Sequence, residues 1–104
     1  MKTLTLFSLF YLLAAVLHAN KYDCIIATKK YEEIYDIPKN LLLSMSLTES
    51  GRRIKNGEFI SWPWTINKKG EGNFFDNKLT AINYVKEYTK KGKKNIDLGC
   101  MQVN

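Results

Sequence analysis

Residues 41–51 read Leu-Leu-Leu-Ser-Met-Ser-Leu-Thr-Glu-Ser-Gly, and this run constrains the fold more than any other in the chain. Pro38 suits the first position of a helix, where a missing N–H costs nothing, and Gly51 suits a left-handed stop. At about 100° per residue, Leu41, Leu42, Met45 and Glu49 share one arc, while Leu43 and Leu47 cover much of the opposite side. A helix apolar on nearly all sides belongs in a core. The pattern therefore predicts a buried central helix with Glu49 one turn beyond Met45 on an apolar face. Burial raises a carboxyl pKa, and an acid still protonated near neutral pH is what general-acid catalysis requires. The plainer alternative is a helix-terminal Glu that reaches water.

The chain has 104 residues, room for one domain, and its start reads as an address. Met1-Lys2-Thr3 is a short positive beginning, and Leu4 to Leu17 is uncharged and rich in Leu, Phe and Ala. Ala19 offers a small residue at a cleavage position, so residues 1–19 are expected to be a secretory signal peptide. The apolar run is short for a membrane span, which disfavours the alternative of an uncleaved anchor. Cleavage leaves residues 20–104, enough for a small core but marginal without a staple. Cys24 and Cys100 are the two cysteines. In an exported protein such a pair suggests one disulfide, the alternative being two buried thiols. Closing so long a loop contributes about 4 kcal/mol in the chain-entropy picture. Loss of Lys2 takes the formal charge from +6 to +5, and lysines dominate the cations. That balance favours polyanions, and export favours an anionic wall polymer or acidic lipid over nucleic acid.

Along residues 20–104, Asn20–Tyr35 reads as a first helix with Cys24, Ala27, Tyr31, Ile34 and Tyr35 on one face and Lys29, Lys30, Glu32 and Glu33 mostly opposite. Asp36-Ile37-Pro38 breaks it. After the central helix, Arg52 to Glu58 is a polar connector. Phe59–Asn67 is aromatic and β-branched, Lys68–Gly72 reads as a turn, and Phe74-Phe75 returns, which together make a short, irregular hairpin in which Pro63 is permitted only at an edge or bend. Asp76 is placed to cap a helix over Lys78–Lys91, with Ala81, Ile82, Tyr84, Val85 and Tyr88 as its apolar side and Gly92 as its stop. Ile96–Asn104 reads as an extended tail.

The only histidine, His18, lies in the leader, so the remaining chain excludes His-dependent triads and most zinc sites. Acid chemistry from Glu49 remains. Trp62 and Trp64 present aromatic faces that suit sugar rings, or serve as hairpin core. A two-carboxylate glycosidase needs a second acid. Asp76 is better explained as a cap, and Asp97 as holding a loop.

Two motifs then meet a family. Leu47-Thr48-Glu49-Ser50-Gly51 resembles the Glu-Ser-Gly signature of lytic transglycosylases of the lysozyme-like superfamily. Gly99-Cys100-Met101-Gln102-Val103-Asn104 resembles their Gly-Leu-Met-Gln-Ile-Asn motif, with Cys in place of Leu. Tyr35-Asp36-Ile37-Pro38 is similar to the family's Tyr-Gly-Ile-Pro. Trp62–Asn67 and Ile96–Cys100 look like an exported single-domain subgroup, and the two motifs stand in the right order about fifty residues apart. The resemblance implies an α+β, mainly α, lysozyme-like fold. It implies cleavage of the β-1,4 bond between N-acetylmuramic acid and N-acetylglucosamine, with Glu49 as acid and then base and the muramoyl 6-hydroxyl closing a 1,6-anhydro ring. Ser50 would orient the site, and Met101, Gln102 and Asn104 would line the glycan groove, joined by Trp64. No second carboxylate, metal or cofactor is then needed. The partners implied are peptidoglycan strands in the periplasm or outside the cell, in wall turnover or in opening the wall for a secretion apparatus, without a membrane anchor after leader cleavage. Family members continue well past the Met-Gln-Ile-Asn strand, so residues 20–104 match the N-terminal portion of such a domain, with one wall of its groove uncovered. The alternatives are a goose-type hydrolytic lysozyme, a non-catalytic wall-binding remnant and a small basic protein acting on membranes through its last helix.

Overall fold

In a computed structural model of the protein, residues 19–104 are described. The expected signal peptide, with its Leu4–Leu17 run and His18, lies outside them, save Ala19. Among the described residues, three helices, α1 (Asp23–Ile34), α2 (Leu41–Ser50) and α3 (Lys78–Lys90), combine with five short strands. β1 (Gly51–Arg53) pairs with β2 (Phe59–Ser61), and β3 (Thr65–Lys68) stands between β4 (Glu71–Phe74) and β5 (Ile96–Leu98) in a second sheet. All pairings are antiparallel. The fold is a small α+β domain, as expected, with more helix than strand. Among the described residues no helix is long and apolar enough to cross a membrane.

The face that α1 buries is not the expected one. Cys24, Thr28 and Glu32, spaced four apart, are buried, whereas Tyr31, Ile34 and Tyr35 are exposed. Glu32, expected to face water, is only 6% exposed. Its carboxylate accepts the backbone N–H of Asn40 at 2.9 Å and of Leu43 at 3.1 Å. Those are orphan donors at the start of α2, so the helix is capped by a side chain from its neighbour. Burial pushes the Glu32 carboxyl up, but the N–H groups of Asn40, Leu43 and Leu42, with the Lys29 charge, outweigh it and hold the pKa below its ordinary value of 4.5.

α2 starts at Leu41, not at Pro38. Pro38 opens a turn closed by Leu41 N–H to Pro38 C=O at 3.0 Å, with Asn40 left-handed at φ 66°. Asparagine tolerates that conformation better than most residues. The expectation of a buried central helix needs correction too. The residues of α2 that are fully inside are Ser46 and Ser50, while Leu41 and Met45 are each 48% exposed. The close neighbour of this helix is backbone, and small hydroxyl side chains are what fit against it. Gly51 is not a left-handed stop. It is extended at φ −65°, ψ 135° and opens β1. Its lack of a side chain provides space, because a Cβ there would strike the Leu47 carbonyl oxygen and come within 2.5 Å of the Phe59 ring.

The expected single strand over Phe59–Asn67 is split at Trp62-Pro63-Trp64 into β2 and β3, since proline cannot continue a ladder. β2 turns back onto β1, inside the expected connector, while β3 runs through Lys69-Gly70 into β4. Both turn residues have positive φ, 52° and 85°, as a type I′ hairpin requires. The tail is more than extended chain. β5 pairs with β3, and a tight turn brings Val103 back to bridge Leu98. α3 is capped by Asn77, whose Oδ1 accepts Thr80 N–H at 3.0 Å, and not by Asp76. Its Ala81 and Tyr88 bury against Ile66 and Ile96, with Trp64, Phe75, Tyr84 and Val85 packed around them.

Candidate active site

Glu49 stands at the last turn of α2, exposed to solvent. Ser50 beside it is buried, and its hydroxyl lies 3.0 Å from the Ser46 carbonyl and 2.9 Å from the Cys100 carbonyl. Ser46 also donates to the Cys100 carbonyl, at 3.0 Å. Cys100 is disulfide-bonded to Cys24 of α1, so the expected bridge is present. Three distant segments (α1, the end of α2 and the turn after β5) therefore converge on one residue. The Ser50 carbonyl in turn accepts Trp62 N–H at 2.9 Å, which ties the end of α2 to the Trp62-Pro63-Trp64 segment.

The other expected site residues divide between positioning and lining. Gln102 is left-handed at φ 49°, and its Nε2 donates to the carbonyls of Thr65 at 3.0 Å and Gly99 at 2.9 Å. Its amide nitrogen is thus committed to holding the turn against β3. Met101 is half-buried, and Asn104 is exposed with its Nδ2 on Asp97 Oδ1 at 2.9 Å. Asp97 does hold a loop. Trp64 is half-buried against the α3 core and lines a groove that does not include Glu49. Among the described residues no group of His, Cys, Asp or Glu is arranged to hold a metal ion.

Sequence reasoning missed Glu32 and Arg52. The spacing of Cys24, Thr28 and Glu32 is a helical stripe, but two of its three members are polar, so an apolar count passes over it. Arg52 lies with its guanidinium 4.8 Å from the Trp62 ring centre and 4.9 Å from that of Phe74. The Trp62 indole N–H donates to the Phe75 carbonyl at 2.7 Å. Two hollows of 780 and 320 Å³ adjoin this stack. Both are lined by Lys21, Trp62 and Asp76, so the two hollows adjoin across these shared side chains. Glu49 lines neither. Comparison with family models, with curated proteins and with solved structures found no match.

Proposed function

We propose that the protein is an exported peptidoglycan lytic transglycosylase in which Glu49 is the acid and base. One observation carries this reading. The Glu49-Ser50-Gly51 and Gly99–Asn104 segments, the two that resemble the family's motifs, meet through the Ser50 and Ser46 hydroxyls on the Cys100 carbonyl. An acid at a helix end is useful only if the surface beside it is fixed, and this junction fixes it. Glu49 gives its proton to the glycosidic oxygen as the bond from the muramoyl anomeric carbon breaks. The resulting carboxylate takes the proton of the muramoyl 6-hydroxyl, whose oxygen bonds to the anomeric carbon and closes the anhydro ring. Ser50 and Gln102 act by positioning, through the bonds described, while Met101 and Asn104 are the side chains offered to the glycan at the Glu49 end of α2, and Trp64 lies away from it in the groove over Trp62. The disulfide and the expected leader are consistent with an oxidising, extracytoplasmic setting.

The exposure of Glu49 favours a second reading, a wall-binding protein without turnover, because an acid on an open surface is not enclosed with its substrate away from water. Digestion of purified cell wall by the oxidised protein, followed by mass spectrometry of the soluble products, separates the readings. Anhydro-muropeptides that disappear with Glu49→Gln support the transglycosylase. Reducing ends point to the hydrolytic lysozyme, and wall binding without release leaves the binding protein.

A further inference from the structure

We propose that the groove over Trp62 is a binding site for an anionic saccharide, separate from the Glu49 end of α2. Its floor is aromatic and held in place. Trp62 is pinned by its bond to the Phe75 carbonyl and covered on one side by Arg52, and Trp64 lines the larger hollow beside it. A fixed indole face suits the CH face of a pyranose, which stacks on it without needing any base-like edge. The larger hollow, 780 Å³, lies within the range of about 300–1,000 Å³ typical of small-ligand sites.

The polar groups decide what kind of sugar fits. Lys21, Arg52, Lys55 and Lys78 line the groove against one carboxylate, Asp76. A neutral sugar takes only hydrogen bonds from these cations, whereas carboxylates carried on a glycan gain charge attraction as well. Asp76 is not the cap of α3, a role Asn77 fills, so its oxygens are free to accept sugar hydroxyls. A deoxyoligonucleotide has few hydroxyls to donate to Asp76, whereas a glycan has many, so the lining favours a saccharide over single-stranded DNA, although basic and aromatic linings often serve nucleic acid. Naming peptidoglycan, with its carboxylate-bearing peptide stems, as the saccharide rests on the proposed function. The groove's preference for an anionic sugar does not.

The chain supplies its own reporter, because both of its tryptophans are in this groove. The test is a tryptophan-fluorescence titration of the oxidised protein with three probes: a soluble disaccharide-tetrapeptide wall fragment, neutral chitotetraose and an oligothymidylate. The expected result is a saturable change with the wall fragment, at concentrations where the other two give none. Added salt should weaken it. Lys21→Gln and Lys55→Gln, both at exposed positions, should each weaken binding roughly threefold, and Lys91→Gln, at the far end of α3 from the groove, should leave it unchanged. Equal response to chitotetraose, tighter binding of the oligothymidylate, or no response from protein with an unaltered circular dichroism spectrum would each overturn the proposal. Binding that persists where wall digestion releases nothing supports the groove while the catalytic reading fails. Anhydro-muropeptide release with no fluorescence change overturns the groove and leaves that reading intact.

Discussion

Glu32 shows how a single charged side chain can be structural when the chemistry around it is right. Buried in α1, it satisfies N–H groups at the start of α2 that no residue of α2 itself satisfies. Because its folded pKa is depressed below 4.5, its contribution to stability is fully present above that value. The contribution is lost as pH falls through the lower folded value. Glu32→Gln should therefore lower the urea midpoint at neutral pH, and the gap to the parent protein should narrow as the solution is acidified below pH 4.5. Paired denaturation curves across that range would check it. A gap that stays constant with pH would assign the effect to packing and not to charge.

At the scale of elements, the disulfide and the two serine hydroxyls act on the same turn. Replacing Cys24 and Cys100 together by Ser removes a crosslink between positions 76 apart, a loss typically costing about 2–5 kcal/mol. It should also loosen the Cys100 carbonyl from Ser46 and Ser50, so protease cleavage should appear first in the segment after β5. Limited proteolysis read by mass spectrometry would show whether the cuts fall there. The elements that were legible in the sequence are those whose buried side is apolar. α3 announces itself through Ala81, Val85 and Tyr88, and the β3–β4 hairpin through the turn expected over Lys68–Gly72, although the strands close in to Lys69-Gly70 and β4 begins at Glu71. α1 and α2 were legible as helices, but not in how they pack. Their inner faces hold Thr28, Glu32, Ser46 and Ser50. A polar residue can go inside when a backbone group waits for it, and hydrophobic periodicity carries no trace of that partner. The candidate site was legible as two motifs. That Gln102 would spend its amide on the Thr65 and Gly99 carbonyls was not, because it depends on where β3 lies.

Across the whole molecule, the apolar residues that α1 and α2 do not bury remain at the surface. Ile34, Tyr35, Leu41 and Met45 are each about half exposed or more, as are Leu79 and Val103 on other elements. The formal charge of +6 opposes self-association through those residues. Salt shortens the reach of that repulsion to about 8 Å at physiological strength and less above it. Sedimentation velocity should then give a coefficient that rises with protein concentration, and more steeply as salt is added. A concentration-independent coefficient in high salt would mean that the exposed side chains are too scattered to pair. The junction at Cys100 also imposes an order on how the chain can fold. α3 and the β3–β4 hairpin close with near neighbours, whereas Ser46 and Ser50 find their acceptor 54 and 50 residues further along. Contacts that distant form late, because the intervening loop must be closed first. α1 and α2 precede α3 in the chain, yet their anchorage at the Cys100 turn is the contact that closes last.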